Sequence, residues 1–168
     1  MNSVILIGFM GCGKSTVGMK LSYRLKKTYL DTDRLIEKEQ SRTILEIFAS
    51  EGEEGFRMME TQCLQKLISD NTDSVISVGG GLPLREGNKE LLRELGTVIY
   101  LKISPEGVYK RLENDTTRPL LQVKDPLPRI RQLMEQRKNI YKDCADYTIE
   151  VEDKSFEEIL IEIQEVLT

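Results

Sequence analysis

The chain has 168 residues, enough for one domain with a real hydrophobic core, and carries 39% apolar residues, 31% charged residues and a formal net charge of −4. That balance belongs to an ordinary globular protein, not to a disordered or membrane chain, and the negative charge argues against broad binding to a nucleic-acid backbone, which needs a basic surface. The longest apolar run, Val4 to Met10, is too short to span a bilayer, and the start Met-Asn-Ser-Val lacks the basic stretch of a signal peptide.

In chain order, the β-branched run Val4-Ile5-Leu6-Ile7 ends at Gly8 and reads as a strand buried on both faces. From Lys14 to Lys27, apolar Val17, Leu21 and Leu25 recur at helical spacing. Tyr29-Leu30 is a short second strand ending at Asp31, followed by helices over Arg34 to Gln40, Ile44 to Ala49 (with Thr43 as cap) and Gly55 to Ile68. Ser74 to Val78 is a third buried strand, stopped by Gly79-Gly80-Gly81. A helix holding Leu91 and Leu95 precedes the strand Thr97 to Leu101, and Ser104-Pro105 starts another helix, serine as cap and proline first inside. Residues 116–128, with Pro119, Pro126 and Pro128, read as an irregular mobile loop. A helix through Arg137, a last strand near Tyr147 to Val151, and a final helix opened by the capping box Ser155/Glu158 complete the chain. Strands and helices alternate throughout, which predicts an α/β domain: a parallel sheet covered on both faces, with ligands at the carboxyl ends of its strands.

Three widely spaced cysteines, Cys12, Cys63 and Cys144, cannot all pair and form no CxxC, so reduced thiols and a cytoplasmic location are expected. The chain has no histidine, which leaves proton transfer to carboxylates, lysine or water.

Gly8-Phe9-Met10-Gly11-Cys12-Gly13-Lys14-Ser15 satisfies GxxxxGK[ST], entered by a strand and left by an amphipathic helix. Such a loop turns backbone N–H groups around phosphate oxygens, while Lys14 reaches the β- and γ-phosphates and Ser15 holds Mg²⁺. The segment Gly11-Cys12-Gly13-Lys14-Ser15-Thr16 is therefore the candidate nucleotide site. A GTPase should also show NKxD; the nearest string, Asn88-Lys89-Glu90-Leu91, lacks the aspartate, so ATP is favoured. A motor or helicase is normally larger, which leaves a kinase of a small molecule.

Asp31-Thr32-Asp33 lies just past the second strand, where two carboxylates two residues apart point the same way from extended backbone. One could serve Mg²⁺ and the other a hydroxyl proton; the alternative is a helix cap, which Asp33 could partly be. Cys12 is either a small residue that fits the loop or a reactive thiol activated by the helix start and Lys14.

Four further segments accumulate: Gly52-Glu53-Glu54-Gly55-Phe56-Arg57, Gly79-Gly80-Gly81, Arg118-Pro119-Leu120-Leu121, and Arg137 followed by Tyr141. With the phosphate loop and Asp31-Thr32-Asp33, this set resembles shikimate kinase from about Val4 to Tyr147, in the family's order and approximate spacing. The resemblance implies a three-layer sandwich of the P-loop NTPase type, with a central parallel five-stranded sheet, in one kinase domain over 1–168 with a mobile lid at about 113–125. It implies ATP and shikimate as substrates, Mg²⁺ as cofactor, and a monomer with no nucleic-acid or membrane partner. Carried over by position, Asp33 binds the ring hydroxyls and acts as base for the 3-hydroxyl, and Asp31 lies near Mg²⁺. Arg57 and Arg137 grip the substrate carboxylate, which two planar guanidinium forks suit. Gly79, Gly80 and Gly81 close over the substrate, Arg118 reaches the transferring phosphate as a catalytic residue with Asp33 and Lys14, and Arg111 stacks on adenine.

Each segment has a plainer reading: a solvated Arg57, a simple turn at Gly79 to Gly81, an Arg111 paired with Glu113 or Asp115. Two departures from the family stand out. Gly55 replaces a charged or amide residue before Phe56, which should loosen that helix start by roughly 1 kcal/mol. The stretch Val151-Glu152-Asp153-Lys154, which the resemblance implies faces adenine, lacks a proline found in some members. The competing functions are a kinase of another small acid such as gluconate, and a nucleotide-dependent binding module without turnover.

Overall fold

The computed structural model describes residues 2–113 and 124–168. Five strands, β1 (Ser3–Ile7), β2 (Thr28–Asp31), β3 (Ser74–Ser77), β4 (Gly96–Lys102) and β5 (Tyr147–Glu150), form one parallel sheet in the order β2-β3-β1-β4-β5. β1 is central because both its faces are apolar: Val4 to Ile7 are all buried, as a strand covered by helices on two sides requires. The chain leaves β1 toward the β2 edge, whereas it leaves the flanking strands β3 and β4 toward the β5 edge. The loop leaving β1 therefore opens at the crevice where such sheets bind ligands.

α1 (Lys14–Leu25) and α7 (Phe156–Leu167) pack together on one face; α4 (Asn88–Leu95), α5 (Pro105–Leu112) and α6 (Pro126–Cys144) cover the other. α2 (Thr32–Gln40) and α3 (Ile44–Ser69) pack on each other beyond the β2 end, around a small core of Ile36, Ile47 and Phe56. The caps read from the sequence are present: Thr43 Oγ1 accepts from Glu46 N–H, Ser104 Oγ from Gly107 N–H, and Ser155 and Glu158 form a reciprocal box.

Two expectations need correction. The irregular stretch does not extend to Pro128, because α6 begins at Pro126. Proline is tolerated in a first turn, whose N–H groups have no partner within the helix. The two helices expected between Ile44 and Ile68 are both present, but the second starts just after Gly52 and not at Gly55. α3 runs from Ile44 to Ser69 with its break at Gly52 (φ 71°, ψ −178°), and a Cβ on Gly55 would meet Glu51 Cβ at 2.7 Å. Glycine stands at 55 to make room for Glu51. Among the described residues, no helix is long and apolar enough to cross a membrane.

Candidate active site

The phosphate loop joins β1 to α1. Gly11 and Gly13 have φ of 79° and 94°, a region that side chains with a Cβ enter only under strain, and Gly13 serves as the N-cap of α1. Lys14 Nζ donates to Gly8 O at 2.6 Å and Phe9 O at 3.3 Å, so its ammonium is held over the loop's own carbonyls. Arg111, from the last turn of α5, donates to Gly11 O at 3.1 Å and lies against Gly13, on the outer side of the loop. Cys12 points into the core and is 1% exposed. That burial supports the packing role for its thiol and not the reactive one, because a thiol shut away from solvent meets no reagent.

A cavity of about 260 Å³ separates the loop from the acidic segment, with Gly11, Gly13, Lys14, Ser15 and Thr16 on one wall and Asp31, Asp33, Ser77, Gly79 and Gly80 on the other. The two aspartates are not equivalent, and they do not share an extended segment. Backbone turns helical at Thr32, and it is Asp31, not Asp33, that caps α2: its Oδ1 accepts from Asp33 N–H at 2.9 Å and Arg34 N–H at 3.4 Å. Asp33 Oδ1 is buried and has no hydrogen-bond partner. Burial, and then the charge of Asp31, push the Asp33 carboxyl above its ordinary pKa, against the pull of Lys14. A carboxylate short of partners, with a raised pKa, is suited to accept a proton.

The three glycines after β3 lie beneath the remaining candidates. A Cβ on Gly79 would stand 2.9 Å from Asp33 Oδ1 and 3.0 Å from Glu60 Oε2. One on Gly81 would overlap the Arg57 guanidinium, and one on Gly80 would stand 3.8 Å from an Arg137 nitrogen. The glycines therefore clear the space that two arginines and two carboxylates share. Arg137 lies over the Phe9 ring, 5.5 Å from its centroid, and near Tyr141, whose hydroxyl donates to Gly80 O at 2.6 Å. Arg118, with Pro119, Leu120 and Leu121, falls outside the described residues, as does most of the lid expected at about 113–125. A larger groove, about 940 Å³ between α5, α6 and the end of β5, is lined in part by Glu152, Asp153 and Lys154 of the stretch expected to face adenine, and among the described residues by none of the candidate catalytic or substrate-binding ones.

Sequence reasoning missed Glu60. It is 0% exposed and accepts from Arg57 NH1 at 2.6 Å, while Glu53 lies 3.5 Å from NH2. Its only sequence signal is the spacing from Arg57, i to i+3, which places both on one helix face. Burial raises the Glu60 carboxyl to about 7, with Arg57 opposing. The folded protein therefore holds a proton on Glu60 that the unfolded chain has released above its ordinary pKa of 4.5. Stability from this group is full below that value and is lost as pH rises through about 7. Urea melts at pH 5 and pH 8 should show Glu60→Gln losing less stability than the parent between them, by up to about 3 kcal/mol. Equal pH slopes would contradict the raised pKa.

The comparisons with known proteins agree with this geometry. The family model described as shikimate kinase matches residues 10–168. A shikimate kinase from Caldanaerobacter subterraneus subsp. tengcongensis is 43% identical over 163 residues, covering 97% of this chain and 94% of that protein. One from Neisseria gonorrhoeae is 45% identical over 147 residues, 88% of this chain and 86% of its own. Among solved structures, shikimate kinase from Acinetobacter baumannii in complex with shikimate superimposes with a TM-score of 0.90 at 37% identity, covering 99% of this chain and 93% of that one. A gluconokinase from Sinorhizobium meliloti shares only the fold, at 14% identity and a TM-score of 0.60.

Proposed function

The chain belongs to the shikimate kinase family, and we propose that it transfers the γ-phosphoryl group of ATP to the 3-hydroxyl of shikimate, giving shikimate 3-phosphate and ADP on the route to the aromatic amino acids. The observation that carries this reading is the gathering of Asp33, Arg57 and Arg137 around Gly79 to Gly81, with Asp33 and these glycines lining the cavity opposite Lys14. Two guanidinium groups near one strand end suit a carboxylate, and the unpartnered Asp33 oxygen suits a hydroxyl on the same small ring.

In this reading the backbone from Gly11 to Thr16 and Lys14 hold the nucleotide phosphates. Lys14 exchanges its hold on the Gly8 and Phe9 carbonyls for phosphate oxygens. Arg111, already seated on the outside of the loop, takes the adenine. Arg57, fixed from behind by Glu60, and Arg137, lying over Phe9, orient the ring through its carboxylate. Asp33 accepts the proton of the attacking oxygen, the one acid–base step that a chain without histidine must give to a carboxylate. Arg118 meets the charge that spreads over the transferring phosphoryl group.

Ser15 and Asp31 fit Mg²⁺: a hydroxyl and a carboxylate face each other across the phosphate cavity, oxygen donors of the kind a hard cation takes. Ser15 and Asp31 would hold Mg²⁺ there, and it would supply positive charge to neutralise the nucleotide phosphates. We further assign a monomer acting in the cytoplasm, where the three free thiols stay reduced.

An ADP-release assay over shikimate, quinate, gluconate and no acceptor tests the reading. Shikimate should give the highest kcat/KM by at least about 100-fold, because a missing partner for a buried polar group costs about 1–3 kcal/mol and several are matched at once. Equal or greater turnover with gluconate would favour the other acidic-metabolite kinase. No release above background with any acceptor would favour a binding module.

A further inference from the structure

Each carbonyl of the glycine segment after β3 has a donor, and one of the donors is unlike the other two. Leu82 N–H donates to Gly79 O at 3.1 Å and Leu84 N–H to Gly81 O at 3.1 Å, both within the turn that follows the strand. Gly80 O is met from another element, by the Tyr141 hydroxyl of α6. Tyr141 is 1% exposed, and its ring packs on Tyr100 of β4 with centroids 5.3 Å apart. Burial pushes the Tyr141 hydroxyl up to about 12, so it remains a donor through neutral pH. Phenylalanine would fill the same space, and a buried phenol has to be given a partner. Packing alone therefore does not account for the hydroxyl.

Arg137 lies four residues before Tyr141, which places both on one face of α6. A Cβ on Gly80 would stand 3.7 Å from the Tyr141 hydroxyl and 3.8 Å from an Arg137 nitrogen, so the phenol and the guanidinium reach the same peptide. A guanidinium has only donors, five of them, and a backbone carbonyl is an acceptor it takes readily. We propose that Tyr141 is a positioning residue for the acceptor: by occupying the Gly80 carbonyl, its hydroxyl keeps the Arg137 guanidinium from turning onto that carbonyl and leaves it to the acceptor's carboxylate. The proposal rests on the reading above, in which Arg137 binds that carboxylate. Arg57 needs no such help, because the Glu60 carboxylate fixes it from behind. The groups placed here beside Arg137 are neutral: the Phe9 ring, Tyr141 and the Gly80 peptide. Without the phenol donor, the buried Gly80 carbonyl would be left unpaired, a cost that capture of Arg137 relieves.

Tyr141→Phe keeps the ring against Tyr100 and removes only the donor. The test compares it with the parent on shikimate and on shikimate carboxamide, the neutral analogue of the same ring. The KM for shikimate should rise about 10-fold, the loss of one charge-assisted contact, while the KM for ATP stays within about 2-fold. The KM for the carboxamide should stay within about 3-fold, because a neutral acceptor has no charge-assisted contact to lose. In the Arg137→Ala background the same substitution should change the shikimate KM by less than about 2-fold, since the two residues act as one unit. Equal losses on shikimate and the carboxamide would make the hydroxyl a general support of the fold and overturn the proposal. So would an unchanged KM for shikimate, or the full loss repeated in the Arg137→Ala background. A parent protein that phosphorylates the carboxamide as well as shikimate would instead remove the carboxylate reading itself, and the proposal with it.

Discussion

Asp33→Asn is expected to lower kcat by about 10²- to 10⁴-fold while the KM for ATP stays within a few-fold, the range that loss of a positioned general base produces. The substitution keeps the size and burial of the side chain and removes only its capacity to take a proton. The phosphate loop should be untouched, since the cap of α2 depends on Asp31. Steady-state kinetics with both substrates varied provide the check. A variant that keeps more than about a tenth of kcat, under 1.4 kcal/mol of barrier, would show that Asp33 only orients the hydroxyl.

Gly81→Ala is expected to raise the KM for shikimate by about 10- to 100-fold, equivalent to losing one charge-assisted contact worth 1.5–3 kcal/mol. The backbone at Gly81 is ordinary (φ −91°, ψ −10°), so glycine is there for space and not for conformation. An added methyl would occupy the place of the Arg57 guanidinium and drive it from its position against Glu60. The displaced group is the end of a flexible side chain, so the fold should survive. The melting temperature and the KM for ATP are expected to change little. An unchanged KM for shikimate would show that Arg57 reaches the substrate from elsewhere, or not at all.

The parts of the molecule that were legible in the sequence are those set by local chemistry. GxxxxGK[ST] between a buried strand and an amphipathic helix fixed the phosphate loop, and the serine and threonine caps stand where the sequence placed them. β1, β2 and β3 followed from apolar runs ended by Gly or Asp, and β4 from the apolar run before Ser104-Pro105. What sequence could not supply are relations between distant segments. The strand order β2-β3-β1-β4-β5 brings Ser77 beside Asp31, although 46 positions separate them along the chain. Asp31 and Asp33 look alike in the sequence. Only the turn into helix at Thr32 gives one the cap and leaves the other unpartnered. Glu60 looks like one more charge on a helix of mixed composition, and its burial depends on α2 and the Gly79 segment closing over it. The start of α6 at Pro126 was hidden because proline marks both loops and first turns.

The central claim is that the 3-hydroxyl of a shikimate ring, aligned by Arg57 and Arg137 and deprotonated by Asp33, receives the γ-phosphoryl group. The most direct measurement is phosphorus–proton correlation NMR on the product formed from ATP and shikimate. The account predicts a single monophosphate whose phosphorus couples to the proton on ring carbon 3, with one ADP formed per product. Coupling to the proton of carbon 4 or 5, or ADP and inorganic phosphate with no phosphorylated ring, would contradict it.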